Sequence, residues 1–142
     1  MTDEHTATEI PRHQGGVRLQ RRLDATPAEV WAALTERESV SRWLGPAQRA
    51  ETAVGGAWEI RFGEAESTQM SGRVRTADPE RLLEVEWNYP GEPPSLVRFE
   101  LHEEAGGVRL VVDHRGLDRR ATTAYAQGWR RHLDDLAGVV AS

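Results

Sequence analysis

The segment TPAEVWAALTERESVSRWLGP, residues 26–46, carries the start and stop signals of two short helices. Thr26 begins a Thr-x-x-Glu capping box and is followed by Pro27, a residue that suits the first helical position. Thr35 begins a second Thr-x-x-Glu box, and a Gly-Pro pair closes the segment. The spacing therefore predicts two short helices joined near residue 35 rather than one long helix.

The stretches on both sides of these helices alternate apolar and polar residues, which is the pattern of half-buried β-strands. One such stretch, GVRLQRRL at residues 16–23, precedes the helices. The region from residue 48 to residue 115 contains the others, separated by Gly- or Pro-rich turns, and RLLEVEWNY at residues 81–89 is the clearest. A sheet with one apolar face needs a layer of structure packed on that face.

The last segment of the chain supplies that layer as a long amphipathic helix. After a cap predicted at Asp118, large apolar side chains recur every three or four residues, which is the spacing of one helical face. They are Tyr125, Trp129, Leu133, Leu136 and Val140. We therefore predict an α+β fold in which a curved antiparallel sheet of about six to seven strands packs against two short helices and a long C-terminal helix.

Composition bounds the domain organisation and excludes several classes of protein. The 142 residues fit one domain, predicted at residues 16–142 and preceded by a flexible polar leader at residues 1–15. Because the chain has no cysteine and no lysine, disulfides, thiolate catalysis and Schiff-base catalysis are excluded. The net charge of −5 argues against nucleic-acid binding, and no apolar run is long enough to cross a membrane. Without a signal-peptide pattern, a cytoplasmic location is expected.

Five phrases along the chain together resemble the START-like (SRPBCC) superfamily, in the branch similar to the activator of the heat-shock-protein-90 ATPase. They are ATPAEVWAALTERESVSRWLGP (25–46), VGGAWEIRF (54–62), GRVRTADPERLLEVEW (72–87), DHRGL (113–117) and GWRRHLDDLAGVV (128–140). The resemblance extends from about residue 17 to residue 140 and implies the helix-grip fold. It also implies a deep cavity between the sheet and the long helix, which different branches use for lipids, polyketides, hormones or catalysis.

The candidate lining of this cavity consists of the apolar residues on the inward face of the strands and on the apolar face of the long helix. The candidates are Trp43, Trp58, Phe62, Met70, Trp87, Tyr89, Phe99, His114, Tyr125, Trp129 and His132. A filled core is the alternative interpretation, because aromatic stripes more often pack than bind. The resemblance favours a pocket, with Trp31 packed in the core, Trp43 at the pocket mouth and Gly72 leaving space on its strand.

The polar members of this set are the candidates for orienting a ligand or moving a proton. His114 and His132 carry a ring whose unperturbed pKa, near 6.5, suits an acid, a base or a hydrogen-bonding group. Tyr89 is the other orienting candidate, whereas the tryptophans and Tyr125 supply apolar area. A hydrogen-bonded structural role for each histidine is the alternative. No His-x-x-x-His or Gly-x-Ser-x-Gly motif is present, so no metal, cofactor or catalytic residue is predicted.

The leading hypothesis is a protein that binds a small hydrophobic or aromatic molecule, such as a polyketide-like compound, inside the cavity. One alternative is an enzyme of the polyketide cyclase or aromatase type, and whether any reaction is catalysed stays open. A related alternative is self-resistance by sequestering an enediyne-type antibiotic. Another is a protein-interaction module like the chaperone ATPase activator, acting through an exposed surface. A homodimer also stays open, because strand-edge and helix-face dimers are common among similar folds.

Overall fold

A computed structural model describes residues 7–9 and 15–141 of the chain. The helices are α1 at Pro27–Thr35, α2 at Arg37–Trp43 and α3 at Thr122–Ala141, with a short 3₁₀ turn at Glu66–Thr68. The strands are β1 at Thr8–Glu9, β2 at Gly16–Leu23, β3 at Ala47–Ala50, β4 at Ala57–Arg61, β5 at Gln69–Asp78, β6 at Leu82–Trp87, β7 at Ser95–Glu104 and β8 at Gly107–Arg115. The polar leader predicted at residues 1–15 lies mostly outside the described residues.

The strands form one antiparallel sheet in the order β1-β2-β8-β7-β6-β5-β4-β3. The two short helices carry the chain from β2 to the opposite edge at β3, after which each strand pairs with the next. The predicted α+β helix-grip fold is confirmed, although eight strands replace the six to seven expected. The additional strand, β1, has two residues and is too short to show an alternating pattern in the sequence.

The two short helices confirm one predicted capping box and contradict the other. At α1 the Thr26 hydroxyl accepts from the Glu29 N–H at 3.1 Å, and the Glu29 carboxylate accepts from the Thr26 N–H at 2.9 Å. The box predicted at Thr35 does not form, because its hydroxyl instead donates to the carbonyl of Trp31, one turn earlier, at 2.7 Å. Glu36 is the N-cap of α2, in extended conformation and without a side-chain capping bond.

Helix α3 covers the apolar face of the sheet and contacts β2, α1 and α2. Trp129, Leu133 and Leu136 are buried beneath it, as the helical stripe predicted, and Tyr125 is half-buried at its first turn. The cap predicted at Asp118 is wrong, because α3 begins at Thr122 and the Asp118 carboxylate accepts from the Arg120 N–H in the preceding turn. None of the helices among residues 7–9 and 15–141 is long and apolar enough to cross a membrane.

Gly72 lies where the backbones of β5 and β6 approach closely. A Cβ atom at this position would overlap the carbonyl oxygen of Glu86, and its next contacts are also within β6. The expectation that Gly72 leaves space for a ligand is therefore wrong, since the neighbouring strand already occupies that space. Backbone atoms of a paired strand cannot move aside without breaking the sheet.

We expect Gly72→Ala to lower the free energy of unfolding by about 1–3 kcal/mol, because the added methyl group forces the two strands apart. Urea unfolding followed by circular dichroism measures this as a lower midpoint. Gly138→Ala in α3 is the matched control, because a Cβ there meets nothing within 4 Å. That variant is expected to gain roughly 0.5–1 kcal/mol from the higher helix propensity of alanine. Equal midpoints for the two variants would contradict the assignment of Gly72.

Candidate functional site

An open pocket of about 230 Å³ lies at the end of β6, between the loop that follows this strand and α3. Its lining consists of Phe62, Trp87, Tyr89, Glu92, Ala124, Tyr125, Gly128, Trp129 and His132. The helical members recur at three- to four-residue spacing, so they share one face of α3. The pocket is therefore assembled from the ends of two strands, one loop and one helix face.

A tight turn brings Tyr89 and Glu92 to the same rim of the pocket. The Glu92 N–H donates to the Tyr89 carbonyl at 3.1 Å, and Gly91 adopts a φ of 84° between them. A positive φ at the third residue of such a turn is readily accessible only to glycine. The turn formed by residues 89–92, in a loop with three prolines, therefore fixes where the Glu92 carboxylate lies against the aromatic wall.

Aromatic rings form most of the pocket wall. The ring of Trp87 lies 5.5 Å from that of Trp129 and 5.7 Å from that of Phe62. Phe62 also contacts Tyr89 at 6.2 Å and His132 at 6.1 Å between ring centroids. These tilted and edge-on geometries are favourable for aromatic pairs, so the wall is a packed cluster that needs no ligand to hold its shape.

Hydrogen bonds within the protein use the donors of two wall residues. The Trp87 indole N–H donates to the Tyr125 hydroxyl oxygen at 3.1 Å, and the Tyr125 O–H donates to Glu92 Oε1 at 2.6 Å. Burial, followed by the bond to Glu92, raises the pKa of the Tyr125 phenol above its ordinary value. Tyr125 is therefore a neutral donor that holds the Glu92 carboxylate at the rim.

His132 presents a neutral imidazole to the pocket. Its Nδ1–H donates to the Trp43 carbonyl at 3.1 Å, which leaves Nε2 as the acceptor nitrogen. Burial, with a smaller effect from the charge of Arg131, lowers the pKa of this ring below its ordinary value. At neutral pH the ring therefore contributes a hydrogen-bond acceptor and no charge.

His114 lies fully buried behind the wall and not in the pocket lining. The Trp129 indole N–H donates to its Nδ1 at 3.0 Å; because Nδ1 must then accept, we assign the neutral tautomer with the proton on Nε2. That proton is donated to Ser95 Oγ at 2.7 Å, and the Ser95 hydroxyl donates to the Trp87 carbonyl at 3.2 Å. Burial lowers the pKa of His114 to about 3. Both ring nitrogens are occupied, which favours the structural alternative for this residue.

The structure brings six of the eleven predicted lining residues together in the pocket. These are Phe62, Trp87, Tyr89, Tyr125, Trp129 and His132. Trp43, Trp58, Met70 and Phe99 are instead fully buried in the core, and His114 lies between the two groups. These four residues belong to the hydrophobic core cluster, and the pocket described above lies at one end of the sheet.

The two tryptophans of the short helices do not lie where they were predicted, and neither lines the pocket. Trp43, expected at the pocket mouth, is buried to 1% exposure, whereas Trp31, expected in the core, is half-buried at its margin. The Trp43 indole N–H donates to the Ala33 carbonyl at 2.8 Å, and its ring packs edge-on against Phe99. A buried indole needs such an acceptor, and helical spacing does not reveal which tryptophan has one.

Two functional features escaped the sequence analysis. Glu92 lies in a Gly- and Pro-rich loop, where no periodicity marks it, and only its position after a turn glycine gave any signal. Ala124 and Gly128 open the pocket by being small, and Gly128 could have been noticed as a glycine one residue before the stripe tryptophan Trp129. Within residues 7–9 and 15–141, no group of three or more His, Asp or Glu residues is placed to hold a metal ion.

Comparisons with solved structures agree with this architecture. A protein from Rhodobacter sphaeroides is 25% identical with a TM-score of 0.81, over 95% of this chain and 97% of that one. CalU16 from Micromonospora echinospora is 25% identical with a TM-score of 0.79, over 94% of this chain and 85% of that one. DynU16, a protein of the dynemicin biosynthetic locus, shares the fold at 23% identity and a TM-score of 0.77, over 88% of this chain and 46% of that one.

Comparisons of sequence identify the family. No curated protein matches the chain. The family model described as "Activator of Hsp90 ATPase homolog 1-like protein" matches residues 24–141, from two residues before the N-cap of α1 to the end of α3. Because this match covers most of the domain and agrees with the helix-grip fold, the chain belongs to the family of activator of Hsp90 ATPase homolog 1-like proteins, in the START-like superfamily.

Proposed function

We propose that the protein binds a small, largely apolar molecule in the pocket between β6, the loop after it and α3. The observation that carries this proposal is a pocket that opens to solvent and is lined by an aromatic wall of Phe62, Trp87, Tyr89 and Trp129 beside a few polar groups. Phe62 is 36% exposed, whereas Trp87 and Trp129 form the buried base of the wall. Apolar concave walls with a small number of orienting polar groups are typical of ligand sites. The helix-grip fold also supports a ligand-binding role, because the resemblance to the START-like superfamily implies a pocket between the sheet and the long helix.

The size of the pocket limits the ligand. Its volume of about 230 Å³ is below the roughly 300–1,000 Å³ typical of sites for drug-sized molecules. One or two rings therefore fit, whereas a whole polycyclic polyketide would extend outside. A two-ring molecule of about 12 heavy atoms that gains roughly 0.3 kcal/mol or more per atom would bind with a dissociation constant in the millimolar range or tighter.

The proposal is tested by titrating ¹⁵N-labelled protein with 2-naphthylmethanol, a neutral two-ring probe. The indole N–H resonances of Trp87 and Trp129, which stand in the wall, are expected to shift saturably, whereas that of Trp58 should not. Binding that shifts none of the wall resonances, or shifts all indoles alike, would contradict the site.

We expect Gly128→Leu to weaken binding of this probe by roughly tenfold or more, because the new side chain would occupy the pocket. A Cβ at Gly128 meets nothing within 4 Å, so the backbone there has room for a side chain to begin. Gly138→Leu, on the same helix and equally unobstructed, is the matched control and should bind like the unmodified protein. Equal affinities for the two variants would place the probe elsewhere.

A further inference from the structure

The charge of the pocket is concentrated on one residue. Glu92 is the single Asp, Glu, Lys or Arg in the lining, and His132 is neutral for the reasons given above. No Arg or His nitrogen lies within 4.0 Å of the Glu92 carboxylate in the described ranges. Arg120 shares a neighbouring surface depression with Glu92 but forms no ion pair with it. The pocket therefore carries a negative charge that the surrounding protein does not neutralise by direct contact.

The hydrogen-bonding groups of the wall are mostly acceptors. The indole N–H groups of Trp87 and Trp129 are used by Tyr125 and His114, and the Tyr125 O–H is used by Glu92. The Tyr89 hydroxyl is then the remaining side-chain donor in the lining. The lining also has two free acceptors. One is the Glu92 carboxylate, whose Oε2 has no hydrogen-bond partner in the described residues, and the other is Nε2 of His132. A ligand that brings its own donors matches this inventory best.

The aromatic wall favours the same kind of ligand. The faces of tryptophan, tyrosine and phenylalanine rings attract cations, and the attraction grows where water is excluded. Trp87, Trp129, Phe62 and Tyr89 all lie in this wall beside the carboxylate. An ammonium group would therefore gain from both the rings and the charge-assisted bond to Glu92, whereas a carboxylate ligand would be repelled by the same residue.

We propose that the pocket selects a small organic ammonium ion, with one or two rings packed on the tryptophans and its N–H groups directed to Glu92. This inference rests on the proposed function, because it names the chemical class of the ligand for the same pocket. The juxtaposition of an aromatic wall, an unneutralised carboxylate and internally occupied donors carries it.

The test uses three probes of nearly the same shape: 2-naphthylmethylammonium, 2-naphthylmethanol and 2-naphthoate. We expect the ammonium to bind about tenfold tighter than the alcohol, and the carboxylate to bind most weakly, in the same indole N–H titration. If none of the three binds, the proposed function and this inference both fail. If the alcohol binds as tightly as the ammonium, or the carboxylate binds tightest, the inference fails while the proposed function stands.

Glu92→Gln removes the negative charge of the side chain and keeps its shape, since the amide oxygen can still accept a hydrogen bond from the Tyr125 hydroxyl. The variant is expected to lose most of the preference for the ammonium over the alcohol, measured as the ratio of the two dissociation constants. Glu103→Gln, an exposed carboxylate near the end of β7, is the control and should keep the preference. An unchanged preference in Glu92→Gln would overturn the assignment of this carboxylate.

Discussion

Replacing His114 by alanine is expected to lower the free energy of unfolding by about 3–5 kcal/mol. The ring is fully buried, so its removal leaves a cavity among Trp87, Trp129 and Tyr125. It also removes the acceptor of the Trp129 indole N–H and the donor to Ser95. Since whole domains are stable by only about 5–15 kcal/mol, this is a large share of the total.

Chemical unfolding at pH 7 measures the effect, with His102→Ala as the matched control. The His102 side chain is 43% exposed on β7 and, among the described residues, bonds to Glu100 alone, so its loss should cost less than about 1 kcal/mol. If His114→Ala does not fold, His114→Gln provides a milder variant, because its amide group offers both an acceptor and a donor. A His114→Ala protein as stable as His102→Ala would contradict the structural role assigned to the buried hydrogen bonds of His114.

Acidification is expected to destabilise the protein over a pH range that is set by the pKa of His114. Its pKa in the folded protein is about 3, whereas the unfolded value is near 6.5, so between these limits the unfolded chain binds one more proton. Stability is therefore full above pH 6.5 and falls as the pH decreases towards 3. The loss from this group is about 3 kcal/mol between pH 7 and pH 4.

The difference between the protein and His114→Gln isolates this effect, because carboxylates and His132 titrate in both. We expect the stability of the unmodified protein to fall more steeply with acid, so that the gap between the two narrows by about 3 kcal/mol from pH 7 to pH 4. Unfolding curves at half-unit pH intervals measure the gap. A gap that stays constant would mean that His114 is protonated in the folded state at the same pH as in the unfolded chain.

The fold was predictable from the sequence because its signals are periodic and local. Alternation located the strands, the capping box at Thr26 located α1, and the stripe at Trp129, Leu133 and Leu136 located α3. The predictions at Thr35 and Asp118 failed because each side chain forms a local hydrogen bond outside the predicted cap. The Thr35 hydroxyl donates to the Trp31 carbonyl within α1, and the Asp118 carboxylate accepts in the turn before α3. A short sequence motif indicates which hydrogen bonds a side chain can form, but the backbone geometry decides which of them does form.

The candidate site was predictable only in part. The alternation of residues along a strand shows which side chains face the interior, but it does not show whether a side chain is enclosed in the core or lines a pocket. Trp58 and Trp87 occupy equivalent parities on their strands, yet one is enclosed in the core and the other lines the pocket. His114 and His132 looked alike in sequence and differ in the structure by whether a second nitrogen is occupied. If the protein proves to be an enzyme, His132 is the histidine with a nitrogen able to take a proton.

The hydrogen bonds of His114 and Ser95, which lie behind the pocket wall, limit the substitutions that the site can tolerate. Trp129 and the backbone of Trp87 hold the His114–Ser95 pair, so a substitution that deepened the pocket there would uncover a buried network and cost stability. Ala124, Gly128 and the loop carrying Glu92 have no such second role in the described contacts. Substitutions at Ala124, Gly128 or Glu92 are therefore expected to change ligand preference at a smaller cost in stability than substitutions at Trp87 or Trp129.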